Sequence, residues 1–139
     1  MVTEKWIRDL FAAYEPYDEE KVLSLHADDY VYEDVARGVV IRGKTEFAAL
    51  MREFFSAFPD YKGELTSFFV SGDRACVEYV MKGTHTGDLH GLPATGKRIS
   101  LPIAEIWELR DEKIVKASSY YDAATMLRQL GMLPPAPQG

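Results

Sequence analysis

The chain has 139 residues, a mass of 15.7 kDa, a net charge of −6 and a pI near 5.1, which argues against nucleic acid or an anionic membrane as the main partner, since both favour basic surfaces. No apolar run reaches the roughly 20 residues of a membrane-spanning helix. The lone cysteine, Cys76, permits no intrachain disulfide and joins no Cys/His cluster of zinc spacing.

These numbers fit a single domain over residues 1–139. The charged N-terminus carries no apolar signal core, so the expected setting is the reducing cytoplasm. Trp6, Ile7, Leu10, Phe11 and Tyr14 recur at helical spacing and predict an amphipathic helix over 3–14. A second helix, over 18–26, has Asp18 as N-cap and turns Val22, Leu23 and Leu25 inward. A short strand (29–34) and its return (36–43) follow. Residues 44–58 make the longest helix, with Phe47, Leu50, Met51, Phe54, Phe55 and Phe58 on its inner stripe and Pro59 ending it. From Tyr61 the period falls to two. Strands at 64–70, 75–85, 97–109 and 112–122 are joined by tight turns at 71–74 and 110–113. A long glycine- and proline-punctuated turn separates Thr84 from Lys97. A last helix (123–131) stops at Gly131, and the 131–139 tail is expected to be mobile. This order predicts an α+β fold: a curved antiparallel sheet packed against N-terminal helices, forming a cone-shaped pocket.

One residue breaks the pattern of the 97–109 strand. Ile99, Leu101, Ile103, Glu105, Trp107 and Leu109 share a face that is apolar except for Glu105. A bare carboxylate there must be neutralised, paired or solvated. On the preceding strand Val77, Tyr79, Met81 and His85 face the same way. In the last strand Ile114, Ser118, Tyr120 and Asp122 are assigned inward, with Val115 and Ala117 offering the competing face. The candidate site therefore gathers Tyr14, Tyr79, His85, Glu105, Ser118, Tyr120 and Asp122, with Asp34 at the end of the early strand. Trp107, Phe54 and Met81 are the expected apolar contacts to a substrate. Several candidates also have a purely structural explanation. His85 can bond the 86–96 turn, Asp34 can cap the turn that follows it, and Asp122 can cap the last helix. His26 and His90 read as exposed bystanders. Phe68, Val70, Ala104 and Ile106 face outward in this assignment and point to a homodimer through the outer face of the sheet.

Two carboxylates and a tyrosine around an apolar pocket suit proton transfer at carbon. An ionised acid takes a proton alpha to a carbonyl, and a neutral acid or phenol hydrogen-bonds the resulting enolate. The expected partner is a small hydrophobic carbonyl compound. A non-catalytic ligand-binding module is the competing reading, because a fold alone does not fix function.

The segments AFPDY (57–61), GTHTG (83–87), GLPATGKR (91–98), EKIVKASSYYD (112–122) and LRQLG (127–131) resemble the SnoaL-like polyketide cyclase family. That family sits within the cone-shaped superfamily of nuclear transport factor, scytalone dehydratase and ketosteroid isomerase. The resemblance implies a cofactor-free enzyme closing a ring by intramolecular aldol condensation, with the acid–base role on Asp122. Pro93-Ala94-Thr95-Gly96 departs from the family's usual Pro-Pro-Thr-Gly. A second resemblance, of LHADDYVYEDVARG (25–38) to ketosteroid isomerase, implies a base at Asp34 and an oxyanion tyrosine at Tyr14. It places Glu105 one residue away from that enzyme's protonated acid.

Overall fold

The computed structural model describes residues 2–135 and 137. Thr3 opens α1 (Glu4–Ala12), its side-chain oxygen accepting from the Trp6 N–H, and the helix buries Ile7 and Leu10. Asp18 caps α2 (Glu19–Ser24) in the same way, accepting from the Lys21 N–H. This helix ends sooner than its apolar spacing predicts because β1 (His26–Asp34) begins at once. The return strand is β2 (Val39–Arg42), followed by the long α3 (Lys44–Ala57). Then come β3 (Lys62–Ser71), β4 (Arg74–Thr84), β5 (Arg98–Arg110) and β6 (Lys113–Tyr120), and α4 (Ala123–Gln129) closes the order. The expected mobile tail falls, at residues 136, 138 and 139, outside the described residues.

The six strands form one curved sheet in the order β2-β1-β6-β5-β4-β3, so the fold is the expected α+β. All pairings are antiparallel except β1 with β6, which is parallel. One core cluster, around Ile7, Leu10, Tyr30, Phe47, Val77 and Trp107, joins α1 and α3 to the sheet. A second, around Phe58, Met81, Leu89, Leu101 and Leu130, joins the end of α3, the 85–97 segment and α4.

Two bulges change which side chains face inward. In β6, Leu109 pairs with Ile114 but Glu108 pairs with Lys116, so Val115 is an extra residue. Beyond it the alternation is inverted: Ala117 and Ser119 are buried, while Tyr120 is 48% exposed. The inward assignment of Ser118, Tyr120 and Asp122 is thereby corrected, since one added residue turns every later side chain over. In β3, Leu65 pairs with Tyr79 and Ser67 with Glu78, leaving Thr66 extra. Phe68 and Val70 consequently pack on the core, and Phe69 faces out, 60% exposed. The outward assignment of Phe68 and Val70 is corrected for the same reason.

Candidate active site

A cavity of about 160 Å³ lies between α1, α3 and the inner face of the sheet. Its wall is largely apolar or aromatic: Leu10 and Phe11 from α1, Phe47, Leu50, Met51, Phe54 and Phe55 from α3, and Met81, Leu101, Ile103 and Trp107 from the sheet. The polar groups come chiefly from one row across the sheet. Asp34 on β1 pairs with Ser119 on β6, and Ser119 pairs with Glu105 on β5. All three line the cavity. Two strand spacings, roughly 10 Å, therefore separate the backbones that carry the two carboxylates.

Their surroundings differ. Glu105 accepts from the Tyr79 hydroxyl at 2.7 Å and from the Trp107 indole N–H at 3.0 Å. Burial pushes its pKa up; these two hydrogen bonds oppose that, and the Asp34 charge adds to it. The phenols of Tyr14, Tyr30, Tyr32, Tyr61 and Tyr79 are all pushed up, by burial first and by the Glu105 charge second, which sets them around this one acid. Asp34 is buried at the end of β1, where the chain turns toward β2. It accepts from the Tyr121 hydroxyl at 2.8 Å and from the Arg37 backbone N–H at 3.1 Å. The Arg37 Nη1 stands 3.5 Å away and donates to His90 Nε2 at 2.8 Å.

His90 reaches the site on the 85–97 segment, which forms a strap. Leu89 and Leu92 exchange backbone hydrogen bonds at 2.9 and 2.8 Å, with positive φ at His90 and Gly91 between them. That is the geometry of a tight two-residue hairpin turn. The His90 N–H donates to Glu53 on α3, and the ring nitrogen Nδ1 lies 3.3 Å from the same carboxylate. Arg37, His90 and Glu53 thus tie the β1–β2 turn, the strap and α3 together.

Of the residues singled out in the sequence, the structure brings Tyr14, Asp34, Phe54, Tyr79, Met81, Glu105 and Trp107 to this cavity. Four do not reach it, among them Ser118, which the β6 bulge turns away and whose hydroxyl donates to Glu33 at 3.4 Å. Asp122 is exposed and caps α4, accepting from the Thr125 N–H and hydroxyl at 3.2 and 2.8 Å, and the hydroxyl bond holds its pKa below the usual range. Tyr120 points to the outer face because of the β6 bulge. His85 is buried against Phe58, and its Nδ1 lies 3.0 Å from the Thr95 hydroxyl and accepts from the Thr95 N–H, so it secures the strap. His26 and His90 are not bystanders: both line the cavity. His26 Nδ1–H donates to the Val22 carbonyl at 2.7 Å, and burial pushes its pKa down to about 4. Tyr121, Ser119 and Arg37 were missed in the sequence. The first two were hidden by the unmarked bulge, and Arg37 by its place in an ordinary-looking turn. Among the described residues no cluster of three His, Cys, Asp or Glu side chains is placed to hold a metal ion.

The family model described as SnoaL-like polyketide cyclase matches residues 5–130. Aklanonic acid methyl ester cyclase DnrD of Streptomyces peucetius is 31% identical over 100 residues, covering 71% of this chain and 69% of that one. Among solved structures, TsrD from Streptomyces laurentii has 26% identity and a TM-score of 0.82, covering 96% of this chain and 100% of that one. A Catenulispora acidiphila protein with a ketosteroid isomerase-like fold, solved with trimethylamine, has 21% identity and a TM-score of 0.80, over 95% and 96% of the two chains. The latter likeness is one of fold alone.

Proposed function

The chain belongs to the SnoaL-like polyketide cyclase family of enzymes, and on that premise we propose that it closes a ring by intramolecular aldol addition, with Asp34 as base and Glu105 as acid. The observation that carries the reading is the row Asp34–Ser119–Glu105, which sets two carboxylates of unlike surroundings on one cavity floor. Pairs of titratable groups in contrasting environments divide acid and base roles between them. An aldol closure needs two polar poles, one beside the carbon that loses its proton and one beside the carbonyl that is attacked. Asp34 takes the proton alpha to the first carbonyl. The resulting carbanion forms the new C–C bond at the second carbonyl, whose oxygen receives a proton from Glu105. Asp34 then holds the proton gained and Glu105 has lost one; exchange through the mouth restores both. Tyr79 positions the Glu105 carboxyl, and the aromatic wall keeps water from quenching the enolate.

The reading needs no cofactor. We place the enzyme in the cytoplasm and the contact between two copies on the outer face of its sheet. An isomerase of ketosteroid type would use Asp34 in the same way on a single enone, and it is favoured by the position of Asp34 at the end of β1.

The test replaces Asp34 and Asp122 by Asn and follows conversion of aklanonic acid methyl ester, the compound for which the relative DnrD is named, and of the corresponding free acid. Asp34→Asn is expected to lower turnover by roughly 10²–10⁴, the usual share of general acid–base catalysis. Asp122→Asn should leave both turnover and melting temperature close to the parent, because Asn caps a helix about as well as Asp. The opposite result would return the base to Asp122. Binding without conversion in the parent protein, tried with both keto-esters and enones, would favour a ligand-binding module.

A further inference from the structure

The wall of the cavity contains one guanidinium that the aldol mechanism does not use. Among the described residues lining the cavity, Arg37 is the only lysine or arginine, and its side chain remains 34% accessible. Asp34 does not depend on that guanidinium, since its closer donors are the Tyr121 hydroxyl and the Arg37 backbone N–H. Every hydrogen bond of the Arg37 side chain to a described residue leaves from Nη1, toward Asp34 and His90. Toward the described residues the Nε–Nη2 edge is uncommitted. What such an edge does is shown elsewhere in the same protein: Arg52 uses Nε and Nη2 to grip both oxygens of Glu19, at 2.8 and 2.7 Å. This side-on fork matches a carboxylate and holds it with two charge-assisted hydrogen bonds.

Size adds a second constraint. The cavity of about 160 Å³ is close to the engineered void of about 150 Å³ that takes up benzene, and well under the ~300 Å³ at the low end of ordinary ligand pockets. It encloses about one ring. The rest of any larger substrate must extend beyond it, and Arg37, a lining residue that is also open to solvent, is placed to meet that part.

We propose that the substrate carries a free carboxylate, gripped side-on by Nε and Nη2 of Arg37, next to a single ring or ring-sized ketone portion held in the cavity. Arg37 then sets specificity, favouring acids over the neutral esters for which the relative is named. The inference rests on the proposed function only in taking this cavity as the substrate site.

Benzoate and acetophenone test it, because they have nearly the same shape and differ in charge. Binding of each is followed by titration calorimetry and by shifts of the Trp107 indole N–H signal. The parent protein should bind benzoate roughly 10–100-fold more tightly than acetophenone at neutral pH, the usual worth of a paired charge-assisted contact. That preference should shrink with added salt. Arg37→Gln should abolish it, with benzoate binding falling far more than acetophenone binding. Arg37→Lys, which keeps the charge without the fork, should recover only part of it. Melting temperatures of both variants show whether they fold as the parent does. Equal binding of the two probes, or equal loss of both in Arg37→Gln, overturns the role of Arg37 and leaves the cavity as the site. If neither probe moves the Trp107 signal, both this inference and the assignment of the cavity fall together.

Discussion

Glu105 is pulled in two directions by its neighbours. Tyr79 and Trp107 donate to it and favour the ionised form, while burial favours the neutral form and is the larger influence. Its pKa in the folded protein is therefore above the ordinary glutamate value. Stability linked to this group is fully present below the unfolded pKa and is lost as pH rises through the raised folded one. The acid role has the same sign: it is available below the folded pKa and disappears above it. Turnover should accordingly fall on an alkaline limb set by the raised pKa of Glu105, above the ordinary glutamate range. Glu105→Gln should lose that limb together with most of the activity, and its melting temperature relative to the parent should rise as pH increases across the same window. Parallel pH series of turnover and thermal melting check both, and a stability difference that does not change with pH would count against a neutral Glu105. This residue was legible in the sequence because the β4 and β5 alternation runs unbroken through their pairing, from Arg74↔Glu108 to Thr84↔Arg98. A lone acid on an apolar face has no ordinary explanation, and the register was simple enough to reveal it.

Elements were harder to read where a strand carries an extra residue. Val115 and Thr66 look like any other strand residues, yet each inverts the faces beyond it. An unbroken alternation therefore turns Tyr120 rather than Tyr121 inward and Phe68 rather than Phe69 outward, although helix positions and strand order along the chain are visible from hydrophobic period alone. Asp122 is ambiguous in the sequence for a different reason. Its N-cap geometry and its family likeness coincide at one position, and only the fold shows that the cap is what the carboxylate makes. The strap adds a case in which a glycine is required by close approach. A Cβ on Gly87 would lie 2.5 Å from the Ser56 carbonyl oxygen, a backbone atom that has little freedom to move. The Thr86 and Gly87 N–H groups both donate to the Ala57 carbonyl there, at 3.0 and 3.3 Å, so the strap begins hard against the end of α3. Gly87→Ala should lower stability by about 1–3 kcal/mol, the range for overpacking. It should also loosen the strap that holds Leu89 and His90 against the cavity. Hydrogen exchange of the Leu89 and Leu92 amides, which bond each other across the strap turn, should quicken more than exchange in β4 and β5. A uniform increase would mean the strap is not a separable unit.

For the whole molecule the decisive asymmetry is between the two faces of the sheet. The inner face holds the core clusters and the cavity, and the helices pack there. The outer face carries a paired row in which Phe69, Cys76 and Ile106 sit side by side on β3, β4 and β5. The row continues through Ser118 and Glu33 to Val40 on β2, which is 46% exposed. The apolar part of that row, Phe69, Cys76 and Ile106, lies across three neighbouring strands, and burial against a second copy would remove it from water. Each copy carries a net charge of −6, so mutual repulsion opposes the contact and moderate salt should strengthen it by screening. The expected species at micromolar concentration is a homodimer, read by light scattering or sedimentation. Phe69→Glu should shift it to monomer while the far-UV spectrum and the cavity's ligand binding persist. Phe68→Glu supplies the contrast. Phe68 faces the core opposite Val77, so a charge there should unfold the protein by several kcal/mol rather than dissociate it. A parent protein that is monomeric across this concentration range removes the outer face as a contact. A Phe69→Glu protein that stays dimeric moves the contact to another surface, because a buried carboxylate amid Cys76 and Ile106 would not be tolerated at the interface.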